Sequence, residues 1–490
     1  MMLDDVLMLL PESLLALGIV VLLLSKTFYR PRTTHYALLC AVVYLSALIA
    51  LMLSNRLPAE SKQILFTFDA FSYFGRGCAL SMGILSIPFL HSAIRRDRMP
   101  EIETYCLCLI QSMGMLFTLM SATWISLIVG LECMYLPLYA LLATRAEDRT
   151  SQEAACKYII MGAFSSGLLL YGVSFLYATV GRFEISALSG IVQSLTVSGS
   201  SLSWLTAYQS HVMFSIGGLL VTAALCFKLG IVPFHFWVRD VYEGGSYTVV
   251  GILSATPKLV LISVWLRIFT PAVVSYIPQW SFITLSVGIL SMFFGNVLAL
   301  AQDRIRSLLA YSSFGHMGFV LLALVILSAP GNQAAVVYTI GYGLTIFIVL
   351  MSLGRISMGS LPCHSLEDLK GLSAVRPVLS VALAVSFLSL LGMPPFLGFM
   401  FKVNLLAALF QANQVGIALA VVVATLIGAF YYIRMIGLMF FYDVPKNRGY
   451  PVVVQSGYVI DCLLVVYIAT LLYVGLNPAV VLQLMSVITA

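Results

Sequence analysis

Apolar runs of about 20 residues follow one another along this chain, each closed by a short charged or Pro/Gly-containing segment. At ~1.5 Å rise per residue, such a run spans the ~30 Å hydrocarbon layer of a bilayer as one helix. The pattern predicts fourteen membrane-crossing helices, beginning near residues 5, 34, 70, 104, 124, 153, 208, 246, 276, 305, 334, 377, 413 and 456. The first run, Val6 to Leu24, lacks a basic leader and a small-residue cleavage site, so it reads as a retained helix and not as a signal peptide.

Two runs are interrupted in the same way. Leu229-Gly230-Ile231-Val232-Pro233-Phe234 in the seventh recurs as Leu391-Gly392-Met393-Pro394-Pro395-Phe396 in the twelfth. Lys228 stands just before the first break and Lys402 shortly after the second. Proline removes a backbone donor and clashes with the preceding turn, so both segments are expected to be broken helices. In a membrane protein, broken helices at matching places in two halves point to a path for an ion or substrate.

Composition fixes the class. The chain is 61% hydrophobic and 9% charged, against roughly a quarter charged in soluble domains. A soluble enzyme is excluded; the expected fold is all-α and polytopic. With the acidic start (Asp4, Asp5) placed outside, sixteen loop cations fall inside, among them Arg30, Arg32, Arg95, Arg96, Lys446 and Arg448. Three, Arg56, Lys62 and Arg182, fall outside. This positive-inside bias supports an even number of spans and puts both termini away from the cytoplasm. The net charge of +6 resides in those short loops and carries no implication of nucleic acid. Nine cysteines are scattered, and Cys106-x-Cys108 has the spacing of neither a zinc knuckle nor a C-x-x-C redox site. No motif for haem, flavin, iron–sulfur or nucleotide is present, so no cofactor is expected on this chain.

The charges left inside the spans carry the candidate chemistry. Arg76, Arg267 and Arg434 fall within a few turns of predicted ends and are expected to snorkel to the interface. Lys157, Lys228, Lys258 and Lys402 are harder to place there, although Lys157 is close to a helix start; Glu132 is the only acidic residue deep inside an unbroken span. A charge at the bilayer centre costs about 3 kcal/mol, so such groups face protein or water and usually carry function. A static reading pairs Glu132 with a lysine and sets the others on carbonyls freed at the breaks. A dynamic reading uses the fact that lysine, unlike arginine, releases its proton when burial penalises the charged form. A Glu132–Lys228 pair beside Lys258 would then be a switch: closed, it keeps Lys228 charged; open, it favours handing the proton to Lys258. His316 and His235 are candidate relays, His316 the better placed, with a hydrogen-bonded structural role equally open. Tyr311-Ser312-Ser313 and Ser165-Ser166 fit either helix packing or water contacts.

Several of these stretches together resemble the antiporter-like membrane subunits of complex I. They are Gly130-x-Glu132 with Leu136-Pro137-Leu138-Tyr139, Glu153-Ala154-Ala155-Cys156-Lys157-Tyr158, and Phe227-Lys228-Leu229-Gly230 through Pro233-Phe234-His235 to Trp237 and Asp240-Val241-Tyr242. Pro257-Lys258, Phe294-Gly295-Asn296 and Leu308 to Ser313 with His316 extend the likeness, which covers most of residues 120–410. Lys402 in Gly398-Phe399-Met400-Phe401-Lys402 resembles the N type, whereas the M type has glutamate there and the L type carries a long C-terminal extension.

The resemblance implies two inverted five-helix repeats, spans four to eight and nine to thirteen. The expected divisions are a three-helix segment (1–103), the first repeat (104–270), the second (271–442) and a C-terminal helix (443–490). It implies a proton relay through Glu132, Lys228, Lys258 and Lys402, with Lys157 and His316 as weaker members. It further implies proton translocation coupled to electron transfer from NADH to quinone, with FMN, iron–sulfur clusters and quinone on other subunits. The implied partners are other complex I membrane subunits and the bilayer; the loop charges favour a bacterial inner membrane, with an organelle-encoded chain as the alternative. Three departures stand out: the bulk of Cys133-Met134-Tyr135, the missing alanine–proline run at Glu243-Gly244-Gly245-Ser246, and Arg306 where a lysine is often found. A Mrp-type cation/proton antiporter, a membrane-bound hydrogenase subunit and a non-pumping scaffold are the rival expectations.

Overall fold

The computed structural model describes residues 7–28, 33–54, 65–145, 147–190, 204–358, 361–443, 452–454, 458–477, 479, 481 and 483. Asp4, Asp5, Arg30, Arg32, Arg56, Lys62, Lys446, Arg448 and much of the 443–490 segment lie outside the described residues. The described residues are helical almost throughout. In order run α1 (Leu10–Phe28), α2 (Thr33–Ser54), α3 (Ala70–Arg96), α4 (Glu101–Leu119), α5 (Trp124–Ala143) and α6 (Arg149–Val180). Next come α7 (Trp204–Leu229), α8 (Phe236–Gly244), α9 (Tyr247–Ile268), α10 (Trp280–Leu300), α11 (Ile305–Val325) and α12 (Ala329–Gly354). Last are α13 (Pro377–Leu391), α14 (Leu397–Gln411), α15 (Val415–Phe440) and α16 (Tyr458–Leu476).

Among the described residues, thirteen helices are long and apolar enough to cross a membrane. The shorter α13 and α14 make the fourteenth crossing between them, as the interrupted twelfth run predicts. A small antiparallel sheet of Ile356–Met358, Leu361–Pro362 and Val452–Val454 is the addition that no apolar run signals.

Local chemistry sets the helix ends. Asp69 and Thr123 form capping boxes with Ser72 and Ser126, which start α3 and α5 by satisfying first-turn amides. The two breaks are built alike. Gly230 (φ 71°) and Gly392 (φ 82°) take the left-handed conformation just past α7 and α13. The amide of Ile231 donates to Cys226 O (3.2 Å) and that of Met393 to Leu388 O (3.0 Å), while Gly230 and Gly392 donate to Phe227 O and Ser389 O. This is one Schellman closure used twice, and it demands a residue without Cβ at its turn. Alanine at either glycine should therefore cost about 1–2 kcal/mol. At 392 the added methyl would also press on the Lys402 stem, whose Cδ lies 2.7 Å from its place. The expected result is a lower Tm in detergent; an unchanged Tm would show that the turn adapts.

The helices α4 to α9 and α10 to α15 pack by one scheme. The α4–α5 pairing recurs as α10–α11, and α8 lies on α6 as α14 lies on α12. Each unit holds five crossings, an odd number, so matching helices run in opposite directions. Close approach depends on small residues: a Cβ on Gly114 would meet the α5 backbone at Cys133, and one on Gly318 the α10 backbone at Met292. The helices α9, α11 and α12 form the buried centre, while α1, α2, α15 and α16 present most of their surface outward.

Candidate proton-relay site

Three of the four intramembrane lysines are buried, at 7% (Lys228), 7% (Lys258) and 8% (Lys402) exposure. Lys228 sits in the last turn of α7, where the break frees the chain from helical packing. Its Nζ donates to Ser166 Oγ on α6 (3.3 Å), and Ser166 donates to Glu132 Oε1 on α5 (2.5 Å). The expected direct Glu132–Lys228 ion pair is thus replaced by a hydroxyl bridge. The ammonium also lies 4.3 Å from the centroid of the Tyr135 ring, so the bulk of Cys133-Met134-Tyr135 supplies a cation–π face.

Lys258 follows Pro257 on α9, and its Nζ donates to Ser313 Oγ on α11. Tyr242 on α8 donates to the same oxygen (3.0 Å), and the Tyr342 ring lies 4.8 Å from Nζ. Between Lys228 and Lys258 is a cavity of about 10 Å³, lined also by Tyr135, Tyr242 and Ser313. That is room for about one water molecule.

His316 lies one turn further along α11. Its Nδ1 is 2.9 Å from the Tyr338 hydroxyl on α12, and its Nε2 is 3.1 Å from the Tyr432 hydroxyl on α15. Tyr432 is in turn 2.5 Å from Ser312 Oγ. Two hydroxyls on two ring nitrogens let the imidazole accept on one side and donate on the other. Lys402 on α14 donates to Leu391 O (2.7 Å), a carbonyl that the second break leaves without a helical partner. A second cavity of about 10 Å³ is lined by His316, Tyr338, Tyr342 and Lys402. His235, the other candidate, packs on Phe236 and Phe314 with its Nδ1 buried and unbonded.

Lys157 does not join this row. It is half exposed on α6 and paired with Glu153 (2.8 Å) and Asp240 (2.9 Å). A site two turns into a helix still reaches the surface when its neighbours are acidic. These groups line a vestibule of about 490 Å³ with Glu243, Arg304, Arg306 and His364. Burial and the nearby Arg306 guanidinium hold the His364 imidazole below its ordinary range. Arg306 donates to Glu243 O (2.9 Å) and Gly245 O (2.8 Å) and stacks 4.2 Å from the Tyr247 ring. Ser246 in turn accepts the Val249 amide (3.3 Å) and caps α9, which is how the chain turns without an alanine–proline run.

Arg76 does not snorkel. It is fully buried on α3, and its Nη2 donates to both oxygens of the buried Glu12 on α1 (2.7 and 2.9 Å) and to Met8 O. A partner on another helix outweighs the short distance to the interface. Arg267 and Arg434 do end in exposed partners, Asp69 and Asp303. Among the described residues no three His, Cys, Asp or Glu side chains come together as metal ligands.

Among the described residues, thirteen spanning helices and the α13–α14 pair, two five-helix units of opposite sense and a broken helix in each define a polytopic membrane protein of the antiporter-like class. The family model described as "NADH:quinone oxidoreductase/Mrp antiporter, TM" matches residues 121–428, more than half of the chain. The chain belongs to that family. A relative from Beijerinckia indica named NADH-quinone oxidoreductase subunit N is 32% identical over 439 residues, covering 89% of this chain and 88% of its own. One from Hydrogenovibrio crunogenus with the same name is 30% identical, covering 97% and 96%. Among solved structures, a chain of respiratory complex I from Thermus thermophilus is similar at 28% identity and TM-score 0.78, covering 96% of this chain and 98% of that one.

Proposed function

We propose that this chain is the N-type membrane subunit of NADH-quinone oxidoreductase and that it passes protons across a bacterial inner membrane. Its partners are the other membrane subunits of that complex. Electron transfer from NADH to quinone, with FMN and iron–sulfur clusters, takes place on other subunits, and this chain carries no redox site. Both termini face away from the cytoplasm. The divisions at 1–103, 104–270, 271–442 and 443–490 separate a supporting three-helix segment, two relay units and a closing helix.

One observation carries the reading: the titratable Glu132, Lys228, Lys258, His316 and Lys402 form one row. They are joined by the Ser166 and Ser313 hydroxyls, by the Tyr342 ring that lies against both Lys258 and His316, and by the two small gaps. The gaps beside Lys228 and Lys402 have room for about one water each. Static pairing would satisfy these charges without such gaps, whereas proton passage needs them. Ser166 makes the Glu132–Lys228 pair adjustable: a small separation of α5 from α6 removes the carboxylate's hold on Lys228 and favours loss of its proton. Lys157 acts from the vestibule, outside the row.

Glu132→Gln in inverted membrane vesicles tests this. NADH oxidation should continue while the protons taken up per electron pair fall. An unchanged ratio with the complex fully assembled would leave the chain a scaffold.

A further inference from the structure

The space between Lys228 and Lys258 is bridged on one side only. Tyr135 offers its ring to Lys228, and its hydroxyl is buried without a partner. Tyr242, at 1% exposure, instead donates to Ser313 Oγ, the atom that Lys258 Nζ also reaches. A serine oxygen has two lone pairs and one hydrogen. With Lys258 an ammonium, Ser313 accepts from both Nζ and Tyr242. With Lys258 a free amine, Ser313 donates to it and accepts from Tyr242 alone. The two hydroxyls can therefore serve either protonation state by turning their hydrogens, with no heavy atom displaced.

Tyr242 is held in place from the polar face of the protein. It lies on α8, a helix of 9 residues. Asp240 ties that helix to Lys157 (2.9 Å), and Glu243 ties it to Arg304 (3.1 Å). These ties fix α8, and with it the Tyr242 hydroxyl, against Ser313.

We propose that Tyr242 and Ser313 carry the proton from Lys228 to Lys258; this rests on the proton-translocating reading above. The Lys228 ammonium gives its proton to a water molecule in the cavity, and that water passes one to the Tyr242 oxygen. The Tyr242 O–H proton moves to Ser313 Oγ, and the Ser313 hydrogen moves to Lys258 Nζ. Lys228 ends as an amine and Lys258 as an ammonium. The water and both hydroxyls keep their hydrogens in number.

The test uses the intact complex in inverted membrane vesicles, with proton uptake read per electron pair. Tyr242→Phe and Ser313→Ala should each lower the ratio as far as Lys258→Gln does, and Tyr242→Phe added to Lys258→Gln should lower it no further. Ser313→Thr, which keeps a hydroxyl, should restore the ratio lost in Ser313→Ala and carries the test should the tyrosine variant fail to assemble. Parental ratios for Tyr242→Phe and Ser313→Ala beside a failing Lys258→Gln would overturn the link and leave the wider reading standing. So would a full second loss in the double variant. A parental ratio for Lys258→Gln itself would overturn the wider reading, and the link with it.

Discussion

Arg76→Met should loosen the N-terminal helices from one another. The change leaves the Glu12 carboxylate, at 3% exposure, without the guanidinium that both its oxygens accept from. Removing one partner of a buried pair costs about 3–5 kcal/mol, because the remaining charge stays dehydrated. The expected readout is a marked fall in Tm in detergent and loss of the subunit during purification of the complex. Replacing both residues, Arg76→Met with Glu12→Leu, should recover most of the loss, since an apolar pair of similar volume is often as stable. A single variant as stable as the parent would mean that the pair contributes nothing to the seating of α1.

Lys402 gives the largest expected effect on function. Lys402→Met removes the titratable group and leaves Leu391 O without its donor. Proton passage through the subunit should fall about 100-fold or more, the lower range for a positioned proton-transfer group. Lys402→Arg separates the two roles of the side chain. Arginine still donates to the carbonyl but does not give up its proton. If Lys402 only holds the break, arginine restores proton uptake per electron pair. If it exchanges protons, the arginine variant is as inactive as the methionine one, and that is the outcome expected.

How far the molecule can be read in advance differs from one residue to the next. The breaks at Leu229 and Leu391 are legible because glycine and proline act locally, and each copy closes by hydrogen bonds within its own few residues. Lys228, Lys258 and Lys402 are legible because a charge inside an apolar run must be enclosed. Arg76 is misjudged on the same logic: nearness to a helix end suggests an interfacial cation, whereas its partner lies on another helix, 64 residues away. Lys157 fails in the other direction, since α6 begins earlier than the apolar run and carries it to the surface. The hydroxyls are the least legible. Most serines here bond a carbonyl three or four residues back, as Ser86 and Ser263 do. Nothing local distinguishes Ser166 and Ser313, which reach across to other helices. Only packing makes that selection.

The two internal cavities have a mechanical consequence. A compartment that admits about one solvent molecule is either wet or dry, with no intermediate filling. On the proton-relay reading, passage through it would be all-or-none, and a helix displacement of a fraction of a molecular diameter would open or close it. A subunit wired in this way would need no large stroke to take part in energy conversion; a slight squeeze delivered from a neighbouring protein would serve.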